Sequence, residues 1–213
     1  MWLKSKEVGV HFDEAWGGMP MMDNLGILKC ASIELAMEKG PYFYQSRNDT
    51  HPRIKRHDSG LTASGIMRKR HGKDLKHTYE LKAKLEGNEL YLDFKLNVPK
   101  TERIFRSKVW FLTRWFGKCI VDGKPMKFGV SPSWKLIDRM PKQPKSVVLC
   151  NGKGSIEIQG STDPSTFWSL YTYCPPSKSS TWSYNKLEII YGWAEDNIEE
   201  GTYTGSFKVI YGV

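Results

Sequence analysis

The chain has 213 residues, 39% of them hydrophobic and 26% charged, with 8 Trp, 10 Tyr and 9 Phe. That many rings let one domain bury enough apolar area to offset the entropy of ordering its backbone, which excludes general disorder. Lys and Arg number 32 against 23 Asp and Glu, a formal net charge of +9, so polyanions, nucleic acid or anionic glycans are natural partners alongside ordinary solubility.

No stretch approaches the roughly 18–20 apolar residues that a membrane span requires, and residues 1–7 are followed by no apolar run of the signal-peptide kind. A soluble chain without a membrane span is expected, with an extracellular location open if a signal peptide has been removed. Cys30, Cys119, Cys150 and Cys174 form no CxxC pair, and free thiols are preferred over two disulfides.

In chain order, Trp2, Val8, Val10, Phe12 and Trp16 mark an opening segment that adds strands to the core. Residues 28–37 are the best helical candidate, with Leu28 and Leu35 on one side, although the alternation Ile33, Leu35, Met37 also permits a strand. Residues 46–76 carry Arg53, Lys55, Arg56, Arg68, Lys69 and Arg70 among Gly and Ser, with little apolar periodicity. A long, exposed basic loop that binds polyanions is the expectation there.

Residues 78–98 alternate strictly, Tyr79, Leu81, Ala83 and Leu85 before Gly87-Asn88 and Leu90, Leu92, Phe94, Leu96 and Val98 after it. Two strands joined by a tight turn fit this period. Short strand candidates follow at 109–116, 119–121, 146–149, 155–159 and 167–173, interrupted by Gly, Pro and Asn. Alternating runs close the chain at 182–193 and 203–211, around an acidic turn at 195–200. The fold expected is mainly β, an antiparallel β-sandwich or jelly roll with little helix, forming one domain over residues 1–213 with 46–76 as a basic excursion.

No phosphate loop, dinucleotide fingerprint, HExxH or nucleophile elbow is present, so no cofactor is expected and no signature decides whether the chain is an enzyme. His51 and His57 beside Asp49 and Asp58 have no metal-ligand spacing, and no metal is expected. Asp13 and Glu14 beside Trp16, with Glu188 on a terminal strand, are the acids to consider for glycoside hydrolysis. Tyr42, Tyr44, Arg47 and His51 are the set to consider for a lyase. Asn48-Asp49-Thr50 matches a glycosylation acceptor, and the acidic turn lacks a calcium pattern.

Trp168 and Tyr171, then Trp182 and Tyr184, flank a Pro/Ser-rich stretch and are the candidates for stacking on a sugar. Arg106 and Lys108 are expected on one face of a strand as an anion-binding surface, with Phe105 and Trp110 tending to the other. The leading expectation is a noncatalytic carbohydrate-binding or accessory β-sandwich module of a larger carbohydrate-active protein. The competing readings are a polysaccharide-acting glycoside hydrolase or lyase, and a viral or structural jelly-roll protein with a basic surface for nucleic acid or another polyanion.

Overall fold

A computed structural model describes residues 1–37, 43–69, 75–114, 117–129, 131–174 and 186–212, with backbone alone at Pro132 and Cys174. Apart from one short 3-10 turn at Ser46–Asn48, the regular structure within these residues is strand. Every pairing is antiparallel.

The strands form three sheets. A nine-stranded sheet runs Lys124–Pro125, Lys118–Val121, Val147–Asn151, Gly154–Asp163, Gly201–Gly212, Glu89–Val98, Thr78–Glu86, Gly60–Ile66, Arg53–His57. A seven-stranded sheet runs Ser131–Met140, Phe167–Cys174, Lys186–Ile198, Glu102–Arg114, Leu28–Met37, Phe43–Gln45, Arg68–Lys69. Trp2–Lys4, Gly9–Asp13 and Met19–Asp23 make a small third sheet.

The hairpin expected at 78–98 is present because each strand has one apolar face. Tyr79, Leu81, Leu90, Leu92, Phe94 and Leu96 are buried, and Gly87 takes a positive φ of 56° in the turn, which glycine adopts without steric cost. Between the large sheets, the Phe207 ring lies 5.0 Å from Phe111, 4.8 Å from Tyr191 and 6.0 Å from Phe94. Each such ring, fully buried, stabilises the sandwich by about 1.5–3 kcal/mol.

Leu28–Met37 is a strand, not a helix. It lies between Glu102–Arg114 and Phe43–Gln45 and is buried at nearly every position, and a strand covered on both faces loses the alternation that would distinguish it from a buried helix. Residues 46–76 also depart from the loop expected for them. Arg53–His57 and Gly60–Ile66 form a hairpin at one edge of the nine-stranded sheet, and Arg68–Lys69 ends the seven-stranded one. Arg53, Lys55 and Arg56 are exposed on that edge strand, where charge discourages pairing with another chain. The acidic stretch is strand as far as Ile198, so the turn is shorter than expected.

His77 is buried beside the Thr78–Glu86 strand, with no hydrogen bond to Nδ1 among the described residues. Burial pushes its pKa down, against the opposing field of Glu102, while Lys100 adds to the depression. The unfolded chain therefore binds a proton more readily than the folded one. This part of the stability is full above the ordinary histidine pKa of about 6.5 and is lost as pH falls below it. Urea unfolding at pH 7.5 and 5.5 is expected to show a smaller loss on acidification for His77→Gln than for the unaltered protein; equal losses would reject the assignment.

Candidate functional site

Residues two apart on a strand share a face. In Glu102–Arg114, Val109 and Phe111 enter the core, so Lys108, Trp110, Leu112 and Arg114 turn to the outer face of the seven-stranded sheet. Lys108 lies opposite Glu34, Trp110 opposite Ser32 and Leu112 opposite Cys30. On the other side Trp110 faces Ile190, Leu112 faces Glu188 and Arg114 faces Lys186, with Tyr171 and Tyr173 one strand further at Glu188 and Lys186.

The floor of this face is a small apolar cluster of Cys30, Trp110, Phe167 and Ile190, packed by Met21, Leu112 and Tyr171. Burial pushes the Cys30 thiol up to about 11 despite the nearby cations Arg47 and Lys29. It therefore stays protonated and unreactive at neutral pH.

A polar network crosses that floor. The Lys108 ammonium, fully buried, donates to Glu188 Oε1 at 2.6 Å and pairs with Glu34 Oε1 at 3.0 Å. The Gln45 amide donates to Glu34 Oε2, Arg47 Nε donates to Gln45 Oε1 at 2.6 Å, and the Arg47 guanidinium lies 4.8 Å from the Trp110 ring centre. Burying an ammonium costs several kcal/mol, which two carboxylates in direct contact offset. Glu34 is sealed in by this arrangement, whereas the Glu188 side chain stays 21% exposed.

Aromatic rings rim the network. Arg106 lies 5.9 Å from the Tyr171 ring centre, Lys186 lies 5.2 Å from that of Tyr173, and Tyr173 lies 5.9 Å from Trp134, which is 46% exposed. The face thus combines hydrogen-bonding groups on a rigid floor with exposed ring surface.

The residues singled out in the sequence scatter. Glu188 and Tyr171 belong to this face. Asp13 accepts from the Ala15 N–H, and Glu14 pairs with Arg56, so neither is drawn into a carboxylate pair with Glu188. Trp168 lies on the opposite side of its strand, fully buried in the core, which corrects its reading as an exposed stacking ring. Trp182, Tyr184, Arg70 and Tyr42 lie outside the described residues.

Trp110 shares the outer face with Lys108 rather than opposing it, and Lys108 is a buried structural cation rather than an exposed anion contact. Arg53 and Lys55 are exposed, Arg56 is in an ion pair, and Arg68 is bound by buried Asp49. Lys69 lies opposite Tyr44 at the sheet edge. Of the lyase set, Arg47 reaches the face, Tyr44 packs against the core and His51 hydrogen-bonds through its backbone to Asp49. The His57 ring meets Thr62 Oγ1 at 3.2 Å, and no three His, Cys, Asp or Glu side chains among the described residues are grouped to hold a metal. Cys30, Cys119 and Cys150 are free thiols. No helix among the described residues is long and apolar enough to cross a membrane.

Glu34, Gln45 and Trp134 were missed by the sequence reading. Glu34 carried a signal, since an acid between Ile33 and Leu35 in an otherwise apolar run needs a buried partner.

The architecture is an antiparallel β-sandwich similar to that of galactose mutarotase-like structures. A galactose mutarotase related enzyme from Lactobacillus acidophilus superposes with a TM-score of 0.63 at 9% identity, over 100% of this chain and 97% of that one. A galactose mutarotase-like protein from Lactobacillus casei ATCC 334 gives 0.62 at 11%, over 99% of both chains. The 4-alpha-glucanotransferase from Thermococcus litoralis gives 0.54 at 8%, over 99% of this chain and 37% of that one. At these identities the likeness defines the fold alone. No protein-family model and no curated protein matches the sequence.

Proposed function

We propose that the chain is a noncatalytic carbohydrate-binding module that takes its sugar on the outer face of the seven-stranded sheet. The observation that carries this reading is the exposed Trp134 ring beside Tyr173, next to the fixed row of Glu188, Lys108, Glu34, Gln45 and Arg47. The C–H face of a pyranose packs on such rings, and its hydroxyls donate to a carboxylate or accept from a guanidinium. The fold shared with a galactose mutarotase related enzyme, a galactose mutarotase-like protein and a 4-alpha-glucanotransferase supports the sugar assignment.

Glycoside hydrolysis requires two carboxylates that divide acid from base or nucleophile across the scissile bond. Here Glu34 is buried behind Gln45 and shares one ammonium with Glu188, an arrangement that favours binding over cleavage. Trp134→Ala is expected to weaken oligosaccharide binding at least ~10-fold while leaving stability within about 0.5 kcal/mol. Trp168→Ala, which empties a core site, is expected to cost about 3–5 kcal/mol. Glycan-array screening followed by calorimetry on Trp134→Ala and Tyr171→Ala checks the first. Undiminished binding by both variants would reject this face.

Anomer interconversion is the second reading, favoured by the near-complete mutual coverage with mutarotase-like structures and by the partly open Glu188 carboxylate. It needs one group to take the anomeric hydroxyl proton and another to protonate the ring oxygen. Exchange NMR on galactose and glucose separates the two. The binding reading expects the buffer rate, whereas acceleration abolished by Glu188→Gln would establish a catalyst.

A further inference from the structure

We infer that the sugar bound on this face is anionic, and that its carboxylate, sulfate or phosphate group sits among Lys29, Arg114 and Lys186, at the end of the face where Tyr173 meets Trp134. This rests on the carbohydrate-binding reading and names its ligand class.

Arg114 and Lys186 are direct cross-strand partners on the central strands of the sheet, a placement in which like charges repel and destabilise the pair. Lys29 lies at the irregularity where the register passes from Leu112 opposite Cys30 to Thr113 opposite Leu28. Arg114 Nε is buried with no hydrogen-bond partner among the described residues, and its Nη2 reaches only the Met22 thioether at 3.8 Å. No carboxylate among the described residues pairs with Lys29 or Arg114, and the acids of the face, Glu34 and Glu188, are committed to Lys108.

Burial lowers the pKa of both Lys29 and Lys186, and the Arg114 charge lowers each further. Lys29 and Arg114 thus sit close together on a partly desolvated surface with no carboxylate partner among the described residues, which costs stability. Cations on the edge strand, Arg53 and Lys55, are solvated and need no such explanation. An anion beside Lys29 and Arg114, next to Lys186, relieves the repulsion between them and supplies an acceptor to the buried Arg114 Nε. Lys186 also rests over the Tyr173 ring, which in turn meets Trp134, so the anion seat adjoins the stacking surface. A ring that stacks and carries its charge on a short exocyclic arm satisfies both.

Calorimetry with three matched pairs tests this: tetragalacturonate and its carboxyl-reduced form, a heparin tetrasaccharide and its desulfated form, and glucose 6-phosphate and glucose. The pairs distinguish carboxylate, sulfate and phosphate as the source of the charge. At least one acidic member is expected to bind ~10-fold or more tightly than its neutral counterpart, with the gap narrowing at about 0.5 M salt. Lys29→Gln/Arg114→Gln is expected to close the gap to within about twofold and, without ligand, to melt at or above the temperature of the unaltered protein, because repulsion is removed. Arg53→Gln/Arg56→Gln, with the same change of charge, is expected to keep the gap.

Equal binding within every pair overturns the inference while leaving the carbohydrate reading intact. A gap that survives Lys29→Gln/Arg114→Gln, or that disappears in Arg53→Gln/Arg56→Gln, places the anion elsewhere and overturns it too. Melting more than about 5 °C lower in Lys29→Gln/Arg114→Gln would make the cluster part of the stabilising structure, again against the inference. Failure of every acidic and neutral sugar to bind would remove the carbohydrate reading itself.

Discussion

Lys108→Met is expected to destabilise the protein by about 3–5 kcal/mol, because it leaves two carboxylates facing each other on a partly desolvated floor without their shared cation. The side chain is about the right length and buries well, so the loss is electrostatic rather than a cavity. Lys108 is fully buried, Glu34 is 6% exposed at its side chain and Glu188 is 21% exposed. Neutralising all three positions together, as Glu34→Gln/Lys108→Met/Glu188→Gln, is expected to recover most of that loss, since no charge is then stranded. Urea unfolding of the single and triple variants reads both numbers. A single variant within about 1 kcal/mol of the unaltered protein would mean that water reaches the network and that the floor is not rigid. The consequence for function is direct: the network fixes Glu188 and, through Glu34 and Gln45, the guanidinium of Arg47 over Trp110.

The parts of the fold that could be read from sequence are those with one wet face. Residues 78–98 and 201–212 alternate because their outward side chains meet solvent, and Gly87 marks the turn between the first two strands. Leu28–Met37 could not be settled because both its faces are covered. Arg53–His57 could not because, at a sheet edge, only Ile54 among its residues is even half-buried.

The same logic divides the site. Glu188 stood out as an acid within a strand, but Trp168 and Tyr171 sit on opposite faces of one strand, and rings on both faces hide which is core. Lys108, set between Ser107 and the apolar Val109-Trp110-Phe111, signals a buried charge, which requires a paired acid. Its partners come from other strands, and no local pattern identifies them. Trp134, flanked by Ser133 and Lys135 in an edge strand, shows no period to read.

Asp49→Ala is expected to cost about 3–5 kcal/mol, far more than neutralising the exposed arginines and lysine of the neighbouring edge strand. Asp49 is 1% exposed and fully subscribed. Oδ1 accepts from Arg68 Nε at 2.9 Å and from the His51 N–H at 3.1 Å, and Oδ2 accepts from the Tyr79 hydroxyl and the Ile66 N–H, each at 3.2 Å. Burial, with the Asp49 charge adding to it, pushes the Tyr79 pKa far up, so the phenol remains a donor at every physiological pH. The strand beside it has been cut to fit: a Cβ on Gly65 would stand 1.8 Å from Asp49 Oδ2. Removing the carboxylate leaves the Tyr79 hydroxyl with the Gly17 carbonyl, 3.1 Å away, and takes their acceptor from Arg68 Nε and from the Ile66 and His51 N–H groups; each lost bond to a charged group is worth about 1.5–3 kcal/mol. By contrast Arg53, Lys55 and Arg56 face solvent, and the Arg56–Glu14 pair is more than half exposed on both sides, so solvent screening leaves it little weight in stability. Equilibrium unfolding should therefore order the variants with Asp49→Ala worst, Arg68→Gln intermediate, and Arg53→Gln/Lys55→Gln/Arg56→Gln nearly neutral. The reverse order would mean that the edge charges, not the buried carboxylate, hold this corner of the sandwich together.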